Sequence, residues 1–376
     1  MRVHALAVAL VAGLSLGAMV LMVTQPPLEA SSYDTAMAAA LGQRLFLDPR
    51  LSPDGSIRCA SCHIPSHAFS DGRPVSIGFS HRAGTRNTPS LLDVQSGEPR
   101  FWDGRRDQLE VAVLDPLVNA VEMGNRDVSG VIERLKGDPG YRQAFSKAFH
   151  EGDQSISAAN LGAALATYIR SLRRPPDAYD RYQAGDVHAL SPQAIAGLQL
   201  FTGKAECARC HDPAHGRFTD GQFHASGVGL GPATGHLAAL TTQVLHSALQ
   251  GAALGSVVGS NAKLAALGRF LVTHRATDVG AFRTPSLRNV ALTAPYMHDG
   301  SISTLAGAID EELYYRGLAT GRPIVLTAHE RADLLAFLLN LIPASQGTGR
   351  SAGDLYAPTP PTVFQAGAGE SSTSSH

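Results

Sequence analysis

The sequence predicts an all-α fold made of two similar halves with long loops. Three observations carry this. Apolar residues recur at helical spacing in several segments, while strand-like alternation is scarce. A set of short motifs occurs twice in the same order. Stretches rich in Gly and Pro separate the helical segments, with 38 Gly and 22 Pro in 376 residues.

Residues 1–30 read as an export segment. Arg2 gives a positive start, residues 5–23 form an unbroken apolar run, and "TQPPLEASS" breaks it. The run suits a cleaved signal peptide, and it is also long enough for an uncleaved membrane anchor. Either way the body faces an oxidising compartment, the periplasm. A first domain follows over 33–175. It closes with "ISAANLGAALATYIRSL", where Leu161, Leu165, Tyr168, Ile169 and Leu172 share one helix face. Residues 173–193, with a Pro pair, read as a connector. The second domain spans 190–345. Ser191-Pro192 opens a helix, Ile195 and Leu198 face inward, and Gly203 ends it. Thr327 and Glu330 form a capping box before "LLAFLLNLI". The polar 346–376 tail predicts disorder.

Composition narrows the function. The chain is 44% hydrophobic and carries a formal net charge of −1. A proper core can form, and no basic face invites nucleic acid. Fifteen histidines raise a metal or haem question. The four cysteines sharpen it. Cys59 and Cys62 precede His63; Cys207 and Cys210 precede His211. A disulfide framework is a poor fit to two vicinal pairs. A Cys₄ zinc site or redox dithiols would leave both histidines unexplained. Attachment of c-type haem accounts for every residue: two thiols one turn apart reach the two vinyl groups, and the next His ligates the iron. Two covalent haems are therefore expected.

The repeats extend beyond the cysteines. "LGQRLFLDPRLSPDGSIRCASCH" echoes "GLQLFTGKAECARCH", "TRNTPSLLDV" echoes "FRTPSLRNV", and "FWDGRRDQLEVAV" echoes "YMHDGSISTLAGAI". The second copy carries a net insertion of about 48 residues, roughly within 230–280. Asp71 and Asp220 occupy equivalent places, which suggests a loop-closing role. His67, His215, His224 and His298 lie near the motifs and read as hydrogen-bonding residues rather than iron ligands.

Taken together, "FWDGR", "VEMG", "RTPSLRN", "TAPYMHDG" and the two Cys-x-x-Cys-His motifs resemble the bacterial di-haem cytochrome c peroxidases and their MauG-type relatives. The resemblance covers about residues 35–343. It implies two cytochrome c-like haem domains arising from duplication, the N-terminal one peroxidatic and the C-terminal one handling electrons. His63 and His211 are then the proximal ligands. Trp102, the only Trp, is implied as an electron relay between the haems. Glu122 matches a distal-pocket acid that shuttles the peroxide proton. A desolvated carboxylate suits that task, because burial raises its pKa. The family also binds Ca²⁺ between its domains, which implies Asn87, Thr293 and Pro295.

Three departures stand out. Where many members have a pocket Gln, this chain has Ala112. Where a mobile His blocks the resting iron, ungapped counting finds Phe79, with His81 two residues on. Where many members carry a Met ligand about sixteen residues beyond a Tyr, "DEELYYRGL" (310–318) has none. Tyr314 fits the MauG-type pattern as the sixth ligand of the second haem, with Tyr315 in reserve and Met297 read as packing. The implied partners are hydrogen peroxide and a small electron donor, a cytochrome c or cupredoxin. A MauG-like oxidase acting on a partner protein is the alternative enzyme, and a di-haem electron carrier without peroxide chemistry is the non-enzymatic one. A membrane is involved only if the leader stays uncleaved.

Overall fold

A computed structural model describes residues 33–94 and 97–343, with the side chains of Asp153 and His215 excepted. The export segment and the polar tail lie outside these residues. No helix of the described residues is long and apolar enough to cross a membrane.

The described chain is helix-rich. Its single regular sheet among the described residues is a ribbon of two-residue strands, Phe223–His224 against Phe282–Arg283, antiparallel. Two helix pairs organise the rest. The Thr35–Phe46 helix crosses the Ala158–Ser171 helix, and the Pro192–Thr202 helix crosses the Ala328–Leu339 helix. Both crossings use a glycine. A Cβ on Gly42 would lie 2.0 Å from the Ala164 carbonyl oxygen, and one on Gly197 would lie 2.0 Å from that of Asp333. Backbones meet so closely only where no side chain intervenes.

The helix starts follow the sequence signals. Ser191 Oγ accepts from the Ala194 N–H, with Pro192 at the first helical position. Thr327 and Glu330 form a reciprocal capping box. Leu161, Leu165, Tyr168, Ile169 and Leu172 are all buried in the first core, as their spacing requires. That core ends at Leu172, and the second begins at Ala178. The stretch read as a connector therefore contributes to the second core. Tyr179 packs edge-on against Phe218 at 4.9 Å, and Asp177 is fully buried beside Arg288.

The stretch read from the sequence as an insertion is helical and has its own small core, built on Leu240, Val244, Val257, Leu264, Leu267 and Phe270. It clamps onto the first half. Thr85 Oγ1 donates to the Val258 carbonyl at 2.8 Å. Arg269 Nη1 donates to the carbonyls of Asp103 (2.9 Å) and Gly104 (2.7 Å), so an inserted residue holds the "FWDG" turn.

The glycine crossing sets a stability test. Gly42→Ala forces the helix pair apart and should cost about 1–3 kcal/mol, as overpacking does. Thermal unfolding of the haem-loaded protein measures it. An unchanged midpoint would show that the crossing tolerates a methyl group.

Candidate haem sites

Each Cys-x-x-Cys-His motif begins in a short 3₁₀ turn, Cys59–Ser61 and Cys207–Arg209. The cysteines are free of disulfides. Burial pushes Cys59 and Cys207 up to about 12, so neither is a ready thiolate, which speaks against redox dithiols. Among the described residues, the only group of three or more metal-binding side chains within 4.8 Å is Cys210, Asp220 and His224. The four sulfurs do not converge, so a Cys₄ zinc site does not fit.

The histidines are held alike. His63 Nδ1 sits 2.8 Å from the Phe69 carbonyl, and His211 Nδ1 sits 3.1 Å from that of Phe218. A carbonyl can only accept, so Nδ1 carries the proton and Nε2 is left as the free ligand atom. Burial lowers both imidazole pKa values and keeps the rings neutral, as ligation requires. Both phenylalanines adopt left-handed backbone, φ 61° and 54°. Beside them stand Phe46 and Tyr168 in the first half, and Phe201 and Phe337 in the second. Asp71 and Asp220 close their loops by accepting N–H bonds from Arg73 (3.1 Å) and Gln222 (2.9 Å).

Around the second motif lies a cavity of about 700 Å³ lined by Cys207, Cys210, His211, Trp102 and Glu312. That is within the range of about 300–1,000 Å³ usual for cofactor pockets. Two thiols, a neutral imidazole and an apolar hollow fit a covalent haem. At the first motif the same donor set recurs in Cys59, Cys62 and His63.

Glu122 belongs to the first motif. Its charge acts on Cys62, and desolvation raises its own carboxyl pKa, against the opposing pull of Arg105. Asn119, which sequence reading missed, holds it: Nδ2 donates to Glu122 Oε1 at 2.7 Å, while Oδ1 accepts from the Val121 N–H. The Asn three residues ahead of the Glu was the available signal. The inserted Leu254–Ser260 helix leans on the same loop, since a Cβ on Gly259 would come within 3.0 Å of Val121. Phe79 also packs here. Its N–H donates to the Glu122 carbonyl at 2.8 Å, and its ring fills the space a Gly124 side chain would need. His81 is exposed on the surface, and Ala112 is buried.

Trp102 borders the second cavity. Its indole N–H donates to the Asn87 carbonyl at 2.8 Å, and its own carbonyl accepts from the Arg283 N–H. Asn87 is buried beside it. Its amide Nδ2 faces three carbonyl oxygens, those of Arg73 (2.9 Å), Pro295 (3.3 Å) and Pro74 (3.4 Å). Thr293 lines the same cavity. Asn87 and Pro295 are thus brought together across 208 residues.

Tyr314 is not brought in. It is 61% exposed and lies in a separate groove with Leu318 and Pro323. The Leu305–Thr320 helix turns its Leu305, Ala308, Ile309, Glu312, Leu313 and Arg316 to the cavity. Two residues past Glu312 is a rotation of about 200°, so Tyr314 points away. Tyr315 packs against Gly227 at the flank. His224 is exposed and paired with Asp220 at 2.7 Å. His298 is buried, stacked on Phe282 at 3.6 Å, and lowered to about 3 by burial. His67 is exposed, the side chain of His215 lies outside the described part, and Met297 lines the cavity.

Comparison with known proteins agrees with this geometry. Residues 36–188 match the di-haem cytochrome c peroxidase family model. Methylamine utilization protein MauG of Methylorubrum extorquens is 36% identical over 314 residues, 82% of this chain and 78% of that protein. Cytochrome c551 peroxidase of Nitrosomonas europaea is 33% identical over 305 residues, 79% of this chain and 81% of that protein. A crystal structure of a MauG-like protein associated with microbial copper homeostasis superposes with a TM-score of 0.66 at 33% identity, covering 86% of this chain and 93% of the other. A variant of the di-haem peroxidase BthA of Burkholderia thailandensis gives 0.60 at 25% identity, covering 83% and 87%. The chain belongs to the di-haem cytochrome c peroxidase family of oxidoreductases.

Proposed function

We propose that this chain is an exported enzyme that reduces hydrogen peroxide at its first Cys-x-x-Cys-His site, using electrons that enter through the second. The observation that carries this is Glu122, desolvated and held by Asn119 beside Cys62. Haem bound through Cys59, Cys62 and His63 supplies the redox-active iron, and Cys207, Cys210 and His211 hold the second. Each turnover takes two electrons and two protons and releases two waters.

Glu122 does the proton work. As a carboxylate it takes a proton from the bound end of peroxide, then gives it to the departing oxygen. Asn119 fixes Oε1, which leaves Oε2 for the substrate. With Ala112 in place of an amide side chain, Glu122 acts without that second donor. Phe79 stands where a mobile His would ligate and cannot do so, and His81 is exposed, so neither would block the iron held by His63. Trp102 relays electrons between the two sites. Ca²⁺ joins the halves at Asn87, with the Asn87 amide turned to present its oxygen alongside the Pro295 and Thr293 carbonyls. The two matched helix pairs and histidine clamps support an origin by duplication, with haem domains over 33–175 and 190–345. The export segment directs the protein to the periplasm, where a small cytochrome c or cupredoxin is the donor.

A second reading, oxidation of a protein partner, is favoured by one observation: the helix facing the second cavity offers no thioether, a ligand that would suit a high-potential acceptor.

Glu122→Gln tests the function. It should slow the reaction with peroxide about 10²-fold or more while mass spectrometry still finds two covalent haems. A rate within about twofold of wild type would rule Glu122 out as the proton shuttle.

The pH profile tests Asn119. Glu122 works as a base only when ionised, and desolvation lifts its carboxyl above the ordinary range. The rate should therefore fall on acidification through that raised value. Asn119 donates to the charged form and opposes the rise, so Asn119→Leu should move the acid limb to higher pH. A limb that stays put, or moves lower, would deny Asn119 this role.

A further inference from the structure

Glu312 stands out among the groups facing the second cavity. Of the row that the Leu305–Thr320 helix presents there, Leu305, Ala308, Ile309 and Leu313 are apolar, and a guanidinium cannot bind a metal. Glu312 alone in that row offers a lone pair. It has no hydrogen bond or close ion pair among the described residues; burial raises its carboxyl, and the Arg316 and His224 charges only partly oppose that rise. A desolvated carboxylate that no donor hydrogen-bonds is costly unless something in the cavity meets it.

Its neighbours are already engaged. Arg316, one turn on, has Nη1 3.7 Å from Cys210 Sγ and Nη2 3.4 Å from Glu206. His224 holds Asp220 at 2.7 Å, and His298 lies flat on Phe282. Glu312 also stands close to where the haem edge is anchored, for its charge acts on both Cys207 and Cys210.

We propose that the Glu312 carboxylate is the sixth ligand of the iron held by His211. The assignment rests on the two-haem reading above. A carboxylate is a hard, anionic oxygen donor, so it favours the ferric state and lowers the potential of the second site. It leaves Tyr314 on the surface and needs no shift of the helix.

The test uses the full-length protein as isolated, with haem content measured first. Its ferric paramagnetic resonance and near-infrared spectra are compared with those of Glu312→Gln, Glu312→Met, Tyr314→Phe and Met297→Leu. Glu312→Gln is nearly isosteric, and circular dichroism checks that its fold is kept. The expected result is a changed second-haem signal in Glu312→Gln and no change in Tyr314→Phe or Met297→Leu. Glu312→Met should turn that signal low-spin, add the near-infrared band of a thioether-ligated ferric haem, and shift the midpoint potential upward. Two haems with a signal indifferent to both Glu312 changes, or one that moves in Tyr314→Phe or Met297→Leu, would overturn the ligand assignment alone. Fewer than two covalent haems in the wild type would overturn it together with the reading beneath it.

Discussion

Everything at the two metal sites depends on one hydrogen bond made twice, from a histidine Nδ1–H to the carbonyl of a buried phenylalanine. The bond fixes the tautomer, aims Nε2 and prevents rotation of the ring. It needs a carbonyl that turns back on the motif, and the chain supplies it by putting Phe69 and Phe218 in left-handed backbone. That conformation is unfavourable for a bulky residue and persists only where its surroundings impose it. Here the aromatic cores impose it. Phe69 packs on Phe46, which Tyr168 backs, and Phe218 is locked among Phe201, Tyr179 and Phe337. The glycine crossings let the helices carrying those rings come close enough to do so.

Similar clamps are then given different surroundings. At the first site a carboxylate is held on an amide, as befits a group that must cycle through protonation. At the second a carboxylate, Glu312, faces a cavity of about 700 Å³ with no hydrogen-bond donor on it among the described residues. Trp102 and Asn87 link the halves, with the indole bonded to the Asn87 backbone and the Asn87 side chain bonded to the Pro295 carbonyl of the second half. The insertion ties these parts together. Arg269 grips the turn that carries Trp102, and the Leu254–Ser260 helix backs the loop that carries Glu122. A segment from the C-terminal half thereby positions groups of the N-terminal half.

Much of this was legible in the sequence because it is local. The cysteine motifs, the Ser191 and Thr327 caps and the core stripe of Leu161 to Leu172 all follow from spacing alone. What escaped was tertiary or angular. Nothing in "SHAF" announces that Phe69 is left-handed. The docking of the insertion depends on contacts across more than 150 residues, such as Arg269 to Asp103. Tyr314 was misplaced because alignment tolerates a two-residue shift and a helix does not. Counting sixteen residues from Tyr296 lands on Glu312, which was passed over because the reading looked for a thioether or a phenol. Asn119 was missed for a similar reason: its role lies in a side-chain bond that only the folded loop reveals.

The central claim is that two unlike sites act as one unit through Trp102. The most direct measurement mixes one equivalent of peroxide with oxidised wild-type protein and with Trp102→Phe, and follows optical changes at both haems by stopped flow. The account predicts that in the wild type the change at the first haem is followed promptly by one at the second. In Trp102→Phe the first should be nearly as fast and the second at least about tenfold slower, the factor that a rise of about 1.4 kcal/mol in the barrier represents. Equal second phases in the two proteins would contradict it.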